Sequence, residues 1–205
     1  MSIVNQEFNH IFIHNPKAAG SWMEKKSYIG GTSHQSIFGY QKEGIDIDSF
    51  YKWMFVRNPY DRLVSSFFYS RRTLGRKNVS MRNHFWMLES FPRYIKNLDE
   101  LFDFTSGNFD INDKNFVNVH IVPQHKFASI NQELRLDWVG KVENIEKDWK
   151  LLSSALGQSS PVEKTNQSRR SSNWFNYYNA ELFDIVNRKY KHDFEMFGYP
   201  RYEVF

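Results

Sequence analysis

Tyr51-Lys52-Trp53-Met54-Phe55-Val56-Arg57-Asn58-Pro59-Tyr60-Asp61-Arg62-Leu63-Val64-Ser65 contains the change of periodicity that decides the fold. Its first seven residues have the composition of a strand buried on both faces. Asn58 is a favoured N-cap, Pro59 suits the first helical position and Asp61 complements the positive end of a helix dipole, so a helix is expected to begin at once. Tyr60, Leu63, Val64, Phe67 and Phe68 then fall on one helical face, leaving Asp61, Arg62, Ser65 and Ser66 on the other. A strand that ends in a cation and turns directly into a helix presents a guanidinium where a parallel sheet opens toward a ligand.

The same pattern occurs upstream. Phe8 to His14 reads as a strand, Asn15-Pro16-Lys17-Ala18-Ala19-Gly20 as a tight turn, and Ser21-Trp22-Met23-Glu24-Lys25-Lys26 as a helix start. Downstream, Leu136 to Val142 is a third strand candidate, followed by a helix from about Asn144 to Leu156 and a last helix from about Ala180 to Tyr190. Residues 73–115 read as an irregular insertion with short helices, and 157–173 as a long polar segment. Alternating strands and helices predict an α/β fold, a central parallel sheet with helices on both faces in three α/β/α layers. At 205 residues the chain is expected to form one domain, 1–205.

Composition narrows the chemistry. Cysteine is absent, which excludes a disulfide framework, a cysteine-ligated metal and a thiol nucleophile. No His-x-x-x-His pattern or carboxylate cluster proposes a metal site, and no apolar run approaches the length of a spanning helix. The net charge of +4 is unevenly spread. Residues 57–96 hold Arg57, Arg62, Arg71, Arg72, Arg76, Lys77, Arg82, Arg93 and Lys96 against Asp61 and Glu89, an excess of 9 − 2 = +7 that leaves −3 elsewhere. An anionic partner is expected at that segment, with a solvated helix face as the plain alternative. Aromatic residues, 18% of the chain, must supply much of the core.

Both strand-to-helix junctions can bind anions. Lys17 to Ser21 would surround one anion with backbone N–H groups, a helix N-terminus and a lysine. The spacing is not Gly-x-x-x-x-Gly-Lys-Ser/Thr, because Lys17 precedes Gly20, and this opposes a nucleotide kinase. Arg57 and Ser65, two helical turns apart, could hold a second phosphate. Singly, each junction also reads as a surface turn or as an arginine paired with Asp61. Together they suit a ligand with two separated phosphates.

Phe12-Ile13-His14-Asn15-Pro16-Lys17-Ala18-Ala19-Gly20-Ser21 resembles the 5′-phosphosulfate-binding signature of sulfotransferases that use 3′-phosphoadenosine 5′-phosphosulfate (PAPS). Phe55 to Ser65 resembles their 3′-phosphate-binding signature. His120-Ile121-Val122-Pro123-Gln124, Asp137 to Asn144 with Asp148, and Tyr190 to Tyr199 resemble the carbohydrate branch, Golgi-type and bacterial. The resemblance implies a P-loop-NTPase-like sulfotransferase fold. It implies that Lys17, Ala18, Ala19, Gly20 and Ser21 bind the 5′-phosphosulfate with Trp22 opening the helix behind them, and that Arg57 and Ser65 bind the 3′-phosphate. Asn166-Gln167-Ser168-Arg169-Arg170 is loosely similar to the loop that closes over the nucleotide, making Ser168 and Arg169 candidate contacts. Ala18 and Ser21 stand where the family commonly has threonine, leaving one hydroxyl for the phosphate instead of two.

Sulfuryl transfer to an alcohol needs a base, positive charge around the sulfuryl group and stabilisation of the departing phosphate. Lys17 supplies charge, and no metal is expected because the transferred group carries less charge than a phosphoryl group. The resemblance implies a histidine or glutamate base between the first helix and the arginine-bearing strand. His34 lies in that interval, with His14 and Glu43 as alternatives; His120 is read as structural and Gln124 as a wall of the site. Residues 71–96 are expected to form the acceptor surface, or else a basic helix with satellite core aromatics Phe85, Trp86 and Phe91. The expected partner is a carbohydrate hydroxyl, that of an acidic glycan included, with a lipid or small-metabolite hydroxyl as the rival acceptor. A basic module binding glycan or nucleic acid without catalysis is the rival of another class. Lack of cysteine and of a spanning segment leads to the expectation of a soluble, cytoplasmic, bacterial enzyme.

Overall fold

The computed structural model describes residues 4–5, 9–20, 22–23, 34–73, 81–113, 116–157 and 173–203. Its strands are β1 (Val4–Asn5), β2 (His10–Phe12), β3 (Tyr51–Val56), β4 (Ser129–Ile130), β5 (Glu133–Leu134) and β6 (Trp138–Lys141). Its helices are α1 (Ile37–Lys42), α2 (Pro59–Thr73), α3 (Phe91–Lys96), α4 (Gln124–Ala128), α5 (Ile145–Ala155), α6 (Ala180–Lys189) and α7 (Lys191–Phe197). Residues 20, 22 and 23 are also helical. The chain divides into two compact units that alternate along the sequence, one of Met1–Arg57, Gly107–Asp113 and Gln124–Ser168, the other of Asn58–Ser106, Lys114–Pro123 and Arg169–Phe205.

The first unit contains the sheet, in the order β1-β2-β3-β6. β2, β3 and β6 are parallel, as expected, with Phe12 opposite Trp53 and Val56 opposite Lys141. The antiparallel edge strand β1 and the β4–β5 hairpin were not foreseen, since two-residue strands are too short to show periodicity. Trp53 and Phe55 alternate onto one face with Phe12 and bury against Trp22, Met23, Trp149 and Leu152. Trp22 meets Trp149 edge-on, ring centroids 5.5 Å apart. Gly140 permits this aromatic packing at β6, because a Cβ there would lie 2.4 Å from the Trp138 ring and 2.6 Å from Phe55.

His10, buried on β2, accepts a hydrogen bond at Nδ1 from the Trp53 indole at 3.2 Å. Burial lowers its pKa to about 4. The unfolded chain therefore takes up a proton near pH 6.5 that the folded chain refuses until about pH 4. The stability this contributes is complete above pH 6.5 and is lost as pH falls through that window, at about 1.4 kcal/mol per pH unit. His10→Gln, which keeps an acceptor for the indole but does not titrate, is expected to lose less stability between pH 7 and pH 4.5 in urea unfolding. An unchanged loss would remove His10 as the cause.

In the second unit, α2 begins where the sequence predicts, with Asn58 Oδ1 accepting from the Tyr60 N–H at 3.0 Å. The polar face assigned to this helix needs correction. Arg62 is 1% exposed and Ser66 is fully buried, with Ser66 Oγ 2.8 Å from the Tyr94 hydroxyl. Tyr94 also accepts from Asn118 Nδ2 at 3.2 Å, and burial pushes its phenol up to about 12. Arg62 and Ser66 were both placed on the polar side of the helix, but that side is covered by a second buried layer, from which Tyr94 supplies the partner of Ser66. Tyr60 sits among Trp174, Tyr178, Phe183, Phe194 and Tyr202, with Trp174 stacked on it at 5.3 Å. The segment 73–115 carries short helices as expected, a 3₁₀ helix at Arg82–Glu89 and α3 among them.

Candidate active site

The turn after β2 continues directly from its last ladder pair. Ile13 N–H donates to Trp53 at 2.9 Å, and Asn15 N–H then folds back to the Ile13 carbonyl at 3.0 Å. Lys17 and Ala19 both take positive φ, 66° and 64°, on either side of Ala18. Left-handed backbone costs a non-glycine residue roughly 1–2 kcal/mol. Alternating handedness turns successive N–H groups toward one side, forming a concavity suited to an anion. A helical turn opens at Gly20, with the Trp22 and Met23 N–H groups donating to the Ala19 carbonyl at 2.9 and 3.1 Å.

Gly20 is required by a close approach, not by its φ. A Cβ built there would lie 1.8 Å from His14 Nε2, so the imidazole rests on the glycine. Gly20→Ala is expected to cost about 1–3 kcal/mol in denaturant unfolding, as overpacking does, and His14→Ala in the same chain should recover most of it. Equal loss with and without His14 would refute the packing assignment.

His14 is buried, and burial first, then the charges of His34 and Lys17, lowers its pKa to about 3. The His34 ring lies 4.3 Å from that of His14, edge-on. His34 Nδ1 is 3.1 Å from the His14 carbonyl, which can only accept, so Nδ1 carries the proton and neutral His34 holds its lone pair on Nε2. Glu43 is elsewhere engaged, accepting from Gln35 Nε2 at 2.8 Å and from Asn112 Nδ2 at 3.3 Å. His120 Nδ1 lies 2.9 Å from Asn118 Oδ1.

Arg57 lies one residue beyond the β3–β6 ladder. Its Nη1 donates to the Lys17 carbonyl at 3.3 Å, joining the two junctions on adjacent strands. Gln124, fully buried at the start of α4, holds the Arg57 main chain: its Oε1 accepts from the Arg57 N–H at 2.9 Å and its Nε2 donates to the Arg57 carbonyl at 2.8 Å. Asn15 Nδ2 donates to the same Oε1 at 2.7 Å. The holding role of these two amides was not foreseen. Asn15 lay inside a quoted motif and Gln124 was assigned only as a wall, and nothing local in a sequence distinguishes a buried clamp amide from an exposed one.

Lys17, Ala18, Ala19, Gly20, His34 and Arg57 thus belong to one unit. Ala18 is buried, and the Trp22 side chain faces the core against Trp149, leaving its backbone in the turn, where its N–H donates to Ala19 at 2.9 Å. Ser65, half-buried on α2, belongs to the other unit. Ser21, Ser168 and Arg169 lie outside the described residues. Among the described residues, no group of three or more His, Asp or Glu converges as a metal site, and no helix is long and apolar enough to cross a membrane.

A parallel sheet with a lysine-bearing turn and an arginine at the carboxyl ends of neighbouring strands has cations where α/β proteins commonly place their ligand sites. The Sulfotransferase family model matches residues 12–200, and the chain belongs to that family. Carbohydrate sulfotransferase 12 of Mus musculus is 24% identical over 178 residues, covering 78% of this chain and 42% of the relative. The chain thus spans less than half the length of that protein. No solved structure matches the chain.

Proposed function

We propose that this protein transfers a sulfuryl group from PAPS to a hydroxyl of a carbohydrate. The observation that carries the reading is the contact between Arg57 and the Lys17 turn at the ends of adjacent parallel strands, in a chain of the Sulfotransferase family. Lys17 and the turn amides would hold the 5′-phosphosulfate, and Arg57 the 3′-phosphate; Ser21, Ser65, Ser168 and Arg169 are proposed as contacts on the family resemblance alone. The acceptor oxygen forms its bond to sulfur as the bond from sulfur to the 5′-phosphate oxygen breaks. The hydroxyl proton passes to His34 Nε2, and 3′-phosphoadenosine 5′-phosphate leaves against Lys17. His14 is the poorer base, because an imidazole held near pKa 3 has little proton affinity at neutral pH. The proposed mechanism uses no metal.

A sugar acceptor is supported by the name of the mouse relative and by Phe85 and Trp86, 58% and 43% exposed on the 3₁₀ helix with Arg82. Aromatic faces stack on sugar rings, and guanidinium groups hold carboxylates or sulfates. The test is mass spectrometry of a glycan panel after incubation with PAPS and a chelator, with added SO₃ as the expected result. Transfer only to lipid or phenolic hydroxyls would replace the acceptor class. No transfer at all, with no binding of 3′-phosphoadenosine 5′-phosphate, would overturn the reading in favour of a non-catalytic basic module.

A further inference from the structure

We infer that Gln124 is a positioning residue that sets Arg57 for the nucleotide 3′-phosphate, an inference that rests on the reading of Arg57 given above. The β2–β3 ladder ends at Phe12 and Trp53, and the β3–β6 ladder at Val56 and Lys141. Arg57 therefore stands past the sheet, where a main chain is ordinarily free to choose its direction. The Gln124 carboxamide takes the place of a neighbouring strand there. One donor and one acceptor, in a plane, meet the carbonyl and N–H of the same residue at 2.8 and 2.9 Å.

Gln124 is itself held. Asn15 Nδ2 donates to Gln124 Oε1 and reaches the Phe55 carbonyl at 3.4 Å, so the turn that carries Lys17 and the strand end that carries Arg57 share one buried amide network. The fork of Arg57 can make directional bonds to a phosphate only if its Cα is fixed, since a charge-assisted pair loses most of its advantage when the donors point away. A side chain that fixes both main-chain groups of Arg57 supplies that constraint without touching the nucleotide.

The experiment compares two nucleotides, 3′-phosphoadenosine 5′-phosphate and adenosine 5′-phosphate, by calorimetry on the full chain, in the wild type, Gln124→Met, Gln124→Glu, Arg57→Ala and the double variant Gln124→Met with Arg57→Ala. Gln124→Met removes both bonds at nearly constant size, and Gln124→Glu keeps the acceptor but loses the donor. Each is expected to reduce the preference for the 3′-phosphorylated nucleotide by about tenfold, the scale of a charge-assisted hydrogen bond, with adenosine 5′-phosphate affinity within about twofold. The double variant should show no less preference than Arg57→Ala alone, as expected of residues acting through one another. Unfolded protein lowers the active fraction for both nucleotides alike, so the ratio remains readable in a partly misfolded preparation. An undiminished preference in the Gln124 variants, equal weakening toward both nucleotides, or additive effects in the double variant would overturn the inference while leaving the Arg57 reading intact. A wild type with no preference between the nucleotides would overturn both.

Discussion

Lys17→Met lowers kcat for sulfuryl transfer by about 10² to 10³-fold, the cost of removing one donor aimed at charge that develops in a transition state. Lys17 sits in left-handed backbone between β2 and a helix start, a strained position that the surrounding turn over-determines. Methionine keeps the length of the side chain while removing its charge. The loss should appear mainly in kcat, because the departing phosphate gains charge as its bond to sulfur breaks, and ground-state binding retains the turn amides and Arg57. Steady-state kinetics with PAPS separates the two. A variant with unchanged kcat and a raised KM would mean that Lys17 contributes only uniform binding.

His34→Ala is the second large effect. General-base catalysis is worth roughly 10² to 10⁴-fold, so kcat should fall by that order with 3′-phosphoadenosine 5′-phosphate affinity nearly unchanged. The tautomer imposed by the His14 carbonyl makes Nε2 the proton acceptor. The base works as the neutral imidazole, so wild-type activity declines as pH falls, and that acid limb should disappear from the residual activity of the variant. His34→Gln can still donate to the His14 carbonyl but cannot accept a proton at neutral pH, and it should be as impaired as His34→Ala. Turnover retained in both variants, with the acid limb still present, would return the role to His14 or Glu43. Against Glu43 stand the two amides already bonded to its carboxylate.

The elements that carry the site were legible because their signals are local. Arg57 followed by Asn58 and Pro59 states a strand end, a cap and a first helical position within three residues, and α2 begins accordingly. The lysine-bearing turn was legible as a turn between strand and helix from Pro16 and Gly20, although Gly20 proves to be needed for the His14 ring and the positive φ values fall on Lys17 and Ala19. The burial of Arg62 and Ser66 was beyond the sequence, because helical periodicity shows which residues share a side, not how many sides are covered. The last helix expected, from about Ala180 to Tyr190, is α6, whereas α7 after it was not foreseen.

By itself the amino-acid sequence determined the alternation of strands and helices, the two cationic junctions and the family to which the chain belongs. The first two follow from spacing and capping, which act over a few residues along the chain, and the family follows from the resemblance of its motifs and the match over residues 12–200. Only the tertiary structure decided which groups hold those cations in place. Gln124 lies 67 residues from Arg57 and 109 from Asn15, yet all three share hydrogen bonds in one buried cluster. Buried amides must find partners wherever the fold brings them, and no local pattern records which partner that will be.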